Sequence, residues 1–208
     1  MDWADEELER MLSEPLPEPV DPDILIFEGN ELYASDGNGG KLKNVTLGRY
    51  LTFGKDGRYT SGNPNVDRYV KNILAEITTP KMTREEKLRA AFEYVRDNYE
   101  YRRRNFYDPG ETGWEVKEAL TMYEKKKGNC YNYAAAFAML ARQLGYDAEA
   151  VSGLVGGELQ SHGWAEIIID GERLYYDCIL ERTYRGRGYD VDYCGQPYAS
   201  APWPYHKR

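Results

Sequence analysis

Cysteine and histidine are scarce in this chain, which has three cysteines and two histidines among 208 residues. Three cysteines are too few for a disulfide scaffold, and an odd number leaves at least one thiol without an intramolecular partner. A bridge between Cys178 and Cys194 stays open. A metal site made of Cys130, His162 and these two cysteines is disfavoured, because no Cys-x-x-Cys or His-x-x-x-His spacing is present. We therefore expect no metal and no cofactor.

Long apolar runs are also missing. No stretch approaches the roughly 18 apolar residues of a membrane-spanning helix, so we expect no membrane span. The first residues have neither the basic nor the apolar region of a signal peptide. Because an acidic, proline-rich start also suits a mature or truncated chain, we favour an extracytoplasmic location slightly over a cytoplasmic one.

Basic charge is in deficit, and the net charge is −8. Residues 1–22 hold eight acidic residues against one basic residue, so the rest of the chain is nearly neutral. This balance argues against a nucleic-acid partner. Two short basic runs, Arg102–Arg104 and Lys125–Lys127, fit either solvated faces or contacts with an acidic polymer.

Shifts in composition predict three regions. Residues 1–22 are expected to form a flexible leader, because their four prolines oppose both helix and sheet. Residues 23–62 alternate short β-prone runs with Gly, Asn and Asp turns, which predicts a small β-hairpin appendage. Residues 63–208 are expected to form the main domain. It begins with helices over 65–77 and after Thr83, where Thr-Arg-Glu-Glu is a capping box, and continues with a helix over 113–123.

The most informative segment is KGNCYNYAAAFAMLARQLGY, residues 127–146. Asn129 is a good N-cap, which places Cys130 at the first position of a buried helix that ends at Gly145. Unpaired N–H groups and the positive end of the helix dipole favour a thiolate there and can hold an oxyanion. The alternative is a small buried residue without chemistry, but core cysteines usually lie within an element rather than at its start.

A second segment brings a histidine and an aspartate together. Residues 161–169 and 173–180 predict two strands joined by a two-residue turn at 170–171. That register places His162 opposite Ile179 and Trp164 opposite Asp177, with all four side chains on one face. Asp177 is then diagonal to His162 and within reach of a hydrogen bond. The other histidine, His206, lies close to the C-terminus, where we expect mobility.

Together these residues resemble the transglutaminase-like superfamily over about residues 64–185. Gly128-Asn-Cys130 before an Ala-rich helix resembles its nucleophile motif, His162-Gly-Trp-Ala-Glu166 its histidine strand, and Tyr176-Asp177 its aspartate strand. The resemblance is to a bacterial-type, single-domain member. It implies an α+β fold whose papain-like core packs helices on an antiparallel sheet. It also implies a catalytic triad of Cys130, His162 and Asp177.

The activity implied is attack of Cys130 on an amide of a protein or peptide substrate, including one associated with a cell wall. The thioester then passes to an amine or to water. A cysteine protease or amidase of the same fold is an alternative, and a non-catalytic cell-wall or peptide binding module is another.

Two departures from the family pattern stand out. No upstream glutamine for an oxyanion hole is found, so Tyr101, Trp114 and Trp164 are the candidates for oxyanion or substrate contacts. Cys178 follows Asp177 where the family often has proline, and Cys178 is expected to be either a passive strand residue or a redox partner.

Overall fold

The computed structural model describes residues 3–104 and 106–207. The helices are α1 (Trp3–Ser13), α2 (Pro64–Ile77), α3 (Arg84–Asn98), α4 (Glu115–Lys125), α5 (Cys130–Gln143) and α6 (Cys178–Gly186). The strands are β1 (Leu25–Glu28), β2 (Glu31–Ala34), β3 (Val45–Leu47), β4 (Leu51–Phe53), β5 (Glu100–Tyr101), β6 (Lys127–Gly128), β7 (Glu149–Val155), β8 (Gln160–Ile169), β9 (Glu172–Tyr176), β10 (Cys194–Pro197) and β11 (Tyr205–His206).

Helix α5 lies at the centre of the molecule. Every residue of α5 is buried, because the helix packs on β7 and β8 on one side and against α3 and α4 on the other. The sheet beneath it has the strand order β10-β9-β8-β7-β11, with all neighbours antiparallel. The predicted α+β fold, with helices on an antiparallel sheet, is confirmed.

The hairpin of β8 and β9 has the predicted register over its first half. Ile169 pairs with Glu172, and the pairing runs to Ala165 opposite Tyr176, across a turn whose two residues have positive φ. The predicted continuation of the return strand to residue 180 is wrong. β9 ends at Tyr176 and helix α6 begins at once, so His162 has no strand partner opposite it in β9.

The reason is the cap of α6. The Asp177 side chain accepts a hydrogen bond from the backbone N–H of Leu180 at 3.0 Å, which makes Asp177 the N-cap residue. Cys178 is consequently the first residue of a helix rather than a strand residue. An aspartate at a strand end suits either a continuing strand or a cap, and the residues after it decide which one forms.

The segment that carries β1 to β4 contacts the end of α5 away from Cys130. The Asp147 carboxylate, just after α5, accepts from the backbone N–H groups of Arg49 and Tyr50 at 3.0 and 2.8 Å. The α5 residue Gln143 donates to the carbonyl of Asn30 at 2.8 Å. A helix of 14 residues is about 20 Å long, so these contacts lie far from the thiol. The three-region division of the chain stays a prediction.

Both ends of the chain pack against the sheet. Residues expected in a flexible leader form α1, and its Met11 is buried in a cluster with Trp164 and Tyr205. The expectation that His206 is mobile is wrong, because β11 pairs with β7 and His206 is 1% exposed. In the described part of the chain, no helix has the length and apolarity needed to cross a membrane.

Candidate active site

Cys130 occupies the first position of α5, as predicted. The backbone N–H of Asn129 donates to Oδ1 of Asn132 at 2.9 Å, as part of a capping box at the start of the helix. Gly128 is needed just before it, because a Cβ atom there would overlap Asn132. The Gly-Asn-Cys sequence thus allows a tight start of the helix. It places the thiol at the positive end of the helix dipole.

Gly163 determines how closely β8 approaches this helix start. A Cβ at position 163 would lie 3.0 Å from the Cα of Tyr131 and 3.1 Å from its backbone nitrogen. Only a glycine lets the strand pass so close to the first turn of α5. The His-Gly pair therefore brings His162 beside Cys130, and both residues line one groove.

His162 and Asp177 form a buried hydrogen-bonded pair. His162 Nε2 donates to Oδ2 of Asp177 at 2.6 Å, and the two residues are 7% and 1% exposed. The aspartate is held in place from its other side, since Oδ1 caps α6 through Leu180 and its own N–H donates to the carbonyl of Tyr193 at 3.0 Å. The orientation of the imidazole is therefore set by a carboxylate that cannot easily rotate.

The pKa of His162 is raised from its ordinary value of 6.5 to about 10. Burial acts to lower this pKa, but the charge and hydrogen bond of Asp177 raise it more, and the hydrogen bond and charge of Cys130 raise it further. Nε2 is committed to Asp177, so Nδ1 is the nitrogen that faces the thiol. Because the folded pKa exceeds the unfolded one, the protonated ring stabilises the fold fully below about pH 6.5, and this stabilisation is lost as the pH rises through about 10.

Tyr205 adds a second donor to the same carboxylate. Its hydroxyl donates to Oδ2 of Asp177 at 2.9 Å, the oxygen that also accepts from His162. Burial raises the pKa of Tyr205 well above its ordinary value, and the charge of Asp177 raises it further, so the phenol stays protonated and donates. The sequence gives no sign of the contact between Tyr205 and Asp177, because this contact depends on the pairing of β11 with β7.

Of the three candidates for oxyanion or substrate contacts, Tyr101 alone lines the groove with Cys130. It is 48% exposed, and its pKa is raised by burial and then by the nearby Cys130. The indole N–H of Trp114 donates to the carbonyl of Glu111 at 2.8 Å, and that of Trp164 donates to the hydroxyl of Tyr198 at 2.7 Å. Trp164 instead stacks on His162, with ring centroids 6.2 Å apart.

The groove that holds Cys130 and His162 has a volume of about 1040 Å³. Its walls come from the segment after β5, the adjoining ends of β7 and β8, and helix α6. The residues that line it are Tyr101, Arg103, Phe106, Cys130, Val155, Gln160, Ser161, His162, Ile179, Leu180, Arg182, Thr183, Gly186 and Arg187. This volume is at the upper end of the usual range of ligand pockets.

The other two thiols lie outside this groove. Cys178 and Cys194 are both buried and are not joined to each other. Burial raises the pKa of Cys178 well above its ordinary value and that of Cys194 to about 12. Within residues 3–104 and 106–207, no group of three or more His, Cys, Asp or Glu side chains is arranged to hold a metal ion.

A polar network under the groove was also missed. Asn132 donates to the carbonyl of Glu118 at 3.0 Å and to its carboxylate, which also accepts from the hydroxyl of Tyr107 at 2.7 Å. The network ties α5 to α4 and to the segment that carries Phe106. The one sequence signal for it is an asparagine in an otherwise alanine-rich helix, which a buried partner must satisfy.

Fold and site together define an α+β protein with a thiol at the start of its central helix and a buried imidazole–carboxylate pair beside it. The sequence profile of the transglutaminase-like superfamily matches residues 71–177, a range that includes Cys130 and His162 and ends at Asp177. The match spans more than half of the chain, so the protein belongs to the transglutaminase-like superfamily, a family of thiol-dependent enzymes.

One solved structure similar to this chain is described as "a Putative Cysteine Protease from Cytophaga hutchinsonii". The two are 20% identical, with a TM-score of 0.42 over 69% of this chain and 47% of the other. The chain thus spans about half the length of that protein. No curated protein matches the sequence.

Proposed function

We propose that this protein is a thiol-dependent acyl-transfer enzyme that acts on amides of proteins or peptides. The observation that carries the proposal is the buried pair of His162 and Asp177 beside a thiol at the N-terminus of α5. An imidazole whose pKa is raised to about 10 is a cation at neutral pH, and a cation next to a cysteine stabilises the thiolate, which is the nucleophile.

In the proposed reaction, the Cys130 sulfur attacks the carbonyl carbon of the amide and forms a tetrahedral oxyanion. The backbone N–H of Cys130, at the start of α5, is the donor that we propose holds that oxyanion. His162 then gives its proton to the departing nitrogen, which leaves as ammonia or an amine, and a thioester remains on Cys130. An amine or a water molecule attacks the thioester, His162 takes the proton of that nucleophile, and Cys130 is released as the thiolate.

A single incubation distinguishes the outcomes of the second step. The protein is mixed with a peptide library and a labelled primary amine, and the products are read by mass spectrometry. Incorporated amine identifies transfer, conversion of a carboxamide to an acid identifies deamidation, and a cleaved backbone identifies proteolysis. The absence of all three products, with the fold intact, would favour a non-catalytic binding module.

Selective alkylation tests the nucleophile. We expect iodoacetamide at neutral pH to modify Cys130 and to leave Cys178 and Cys194 unmodified. All three thiols are buried, but Cys130 lines the groove, whereas the other two lie outside it and their raised pKa values keep them protonated. His162→Ala should slow the reaction of Cys130 about tenfold, since an unassisted cysteine is only a few per cent thiolate at pH 7. Peptide mapping by mass spectrometry gives the rate at each thiol. Equal rates at all three thiols would contradict the proposal.

Tyr205 is proposed as a positioning residue that acts through Asp177. We expect Tyr205→Phe to lower kcat about tenfold, because a hydrogen bond to a buried carboxylate contributes about 1.5–3 kcal/mol. Tyr198→Phe is the matched control, since Tyr198 lies in the same cluster but bonds Trp164. Both variants should lower the melting temperature, and Tyr205→Phe alone should lower kcat. An equal loss of kcat in the two variants would make the role of Tyr205 purely structural.

A further inference from the structure

The groove around Cys130 carries positive charge on a chain whose net charge is −8. Arg103, Arg182 and Arg187 line it, and no aspartate or glutamate does so in the part of the chain that the structure describes. Two acidic side chains close to lining residues are already engaged: Asp177 is bound to His162, and Glu158 accepts from Gln160 at 3.5 Å. Residues 1–22 carry most of the negative charge and the rest of the chain is nearly neutral, so the groove is a local excess of positive charge, a feature that a ligand explains.

None of these three arginines has an ion-pair partner among the described residues, whereas most arginines of the chain do. Arg104, the neighbour of Arg103, lies 3.8 Å from the carboxylate of Glu118, and Arg185 on α6 lies 3.0 Å from that of Glu181. Residues 103–104 and residues 185–187 therefore each include one arginine with an ion pair and one without. The three arginines that line the groove are thus among the arginines without an ion pair in the part of the chain that the structure describes.

The three arginines differ in how they are held. Arg182 is half-buried and donates to the carbonyl of Tyr99 and, at 2.9 Å, to the hydroxyl of Tyr133, so it ties α6 to the segment before β5. Arg103 and Arg187 are exposed and lie over the rings of Phe106 and Tyr184, each 5.6 Å from the ring centroid. Their guanidinium groups are available to a ligand, and a guanidinium binds a carboxylate with two parallel hydrogen bonds.

We propose, as an extension of the proposed function, that this groove selects acyl-donor segments that carry carboxylates beside the reacting amide. The ligand class is an acidic peptide or protein segment. Arg103 and Arg187 pair with its side-chain carboxylates, and the charge of Arg182 adds to the potential. One of the two basic runs seen in the sequence, Arg102–Arg104, thereby contributes to substrate recognition.

Two peptides of the same sequence test this selectivity, one with aspartates and one with asparagines flanking the reactive glutamine. We expect kcat/KM to be about tenfold higher for the acidic peptide, as two exposed ion pairs of ordinary strength would give. Arg103→Gln and Arg187→Gln should each reduce this preference about threefold. Raising NaCl from about 0.05 M to about 0.5 M should also reduce it, because salt screens exposed charges.

Arg68→Gln is the matched control. Arg68 is exposed, has no ion-pair partner among the described residues and lies 5.7 Å from the ring centroid of Tyr69, but it is outside the groove. The change in net charge is the same as in the two groove variants, so the peptide preference should stay as in the wild type. Equal kcat/KM for the two peptides, or an equal effect of Arg68→Gln, would overturn the inference.

Binding of the same peptides to Cys130→Ala, measured by fluorescence anisotropy, separates this inference from the proposed function. If no peptide is turned over but the acidic one binds more tightly, the selectivity stands and the proposed chemistry fails. If turnover depends on Cys130 but neither rate nor affinity favours the acidic peptide, the chemistry stands and the selectivity fails. If neither peptide binds, the selectivity fails as well.

Discussion

We expect Cys130→Ala to abolish turnover, with a loss in kcat of about 10⁴-fold or more, which is the largest effect we predict. In the proposed reaction the sulfur of Cys130 forms the thioester, and no other thiol lines the groove within the described residues. Alanine is the best helix former, so the start of α5 should be preserved. The measurement is the rate of amine incorporation, or of hydrolysis, with the best peptide from the library.

Cys194→Ala is the control for this prediction. Cys194 is 8% exposed, its pKa is raised to about 12, and it is not part of the groove. Its replacement removes one buried sulfur but no proposed reacting group, so kcat should stay within about twofold of the wild-type value. Turnover that survives in Cys130→Ala, or disappears in Cys194→Ala, would contradict the assignment of the nucleophile.

Asp177→Asn should cost about 10³-fold in kcat while leaving the fold intact. Asparagine is as good an N-cap as aspartate, so its side-chain oxygen can still accept from Leu180 and α6 should form. What is lost is the negative charge that raises the pKa of His162 to about 10. The alkaline limb of the pH profile, where the protonated imidazole is titrated, should therefore move to lower pH.

The pH profile of kcat and the melting temperature together test this prediction. Asp147→Asn is the matched control, because Asp147 also accepts backbone N–H bonds but lies at the opposite end of α5. It should leave the alkaline limb in place. Asp177→Ala should lose activity and, in addition, about 1 kcal/mol of stability, because it removes the cap. An unchanged alkaline limb in Asp177→Asn would show that this aspartate does not control His162.

Local sequence patterns were enough to predict several of the helices, turns and strand pairings that position the site. Thr83 caps its helix through the capping box, and Cys130 begins α5, because caps depend on residues only a few positions apart. The turn at Asp170 has positive φ and sets the predicted register of β8 against β9. These predictions succeeded because each rests on a contact between near neighbours in the sequence.

The point at which β9 ends could not be read from the sequence. The residues after Asp177 are apolar and suit a strand or a helix equally well over so short a run. Packing of α6 against α3 and α5 decides the outcome. The hydrogen bond between His162 and Asp177 was predicted nevertheless. Asp177 directly follows β9 whether the strand continues or a helix begins there, so its side chain lies close to β8 in both cases.

The sequence by itself predicted the α+β class. It also predicted the helix that begins at Cys130 and the hairpin that brings His162 toward Asp177. Tertiary structure alone decided that Tyr205 reaches Asp177 from 28 residues away and that Arg103 and Arg187 meet around one groove. The physical reason is the range of the interactions. Caps, turns and registers are determined by neighbours along the chain, whereas these contacts exist only after β11 has paired with β7 and α6 has packed beside α5.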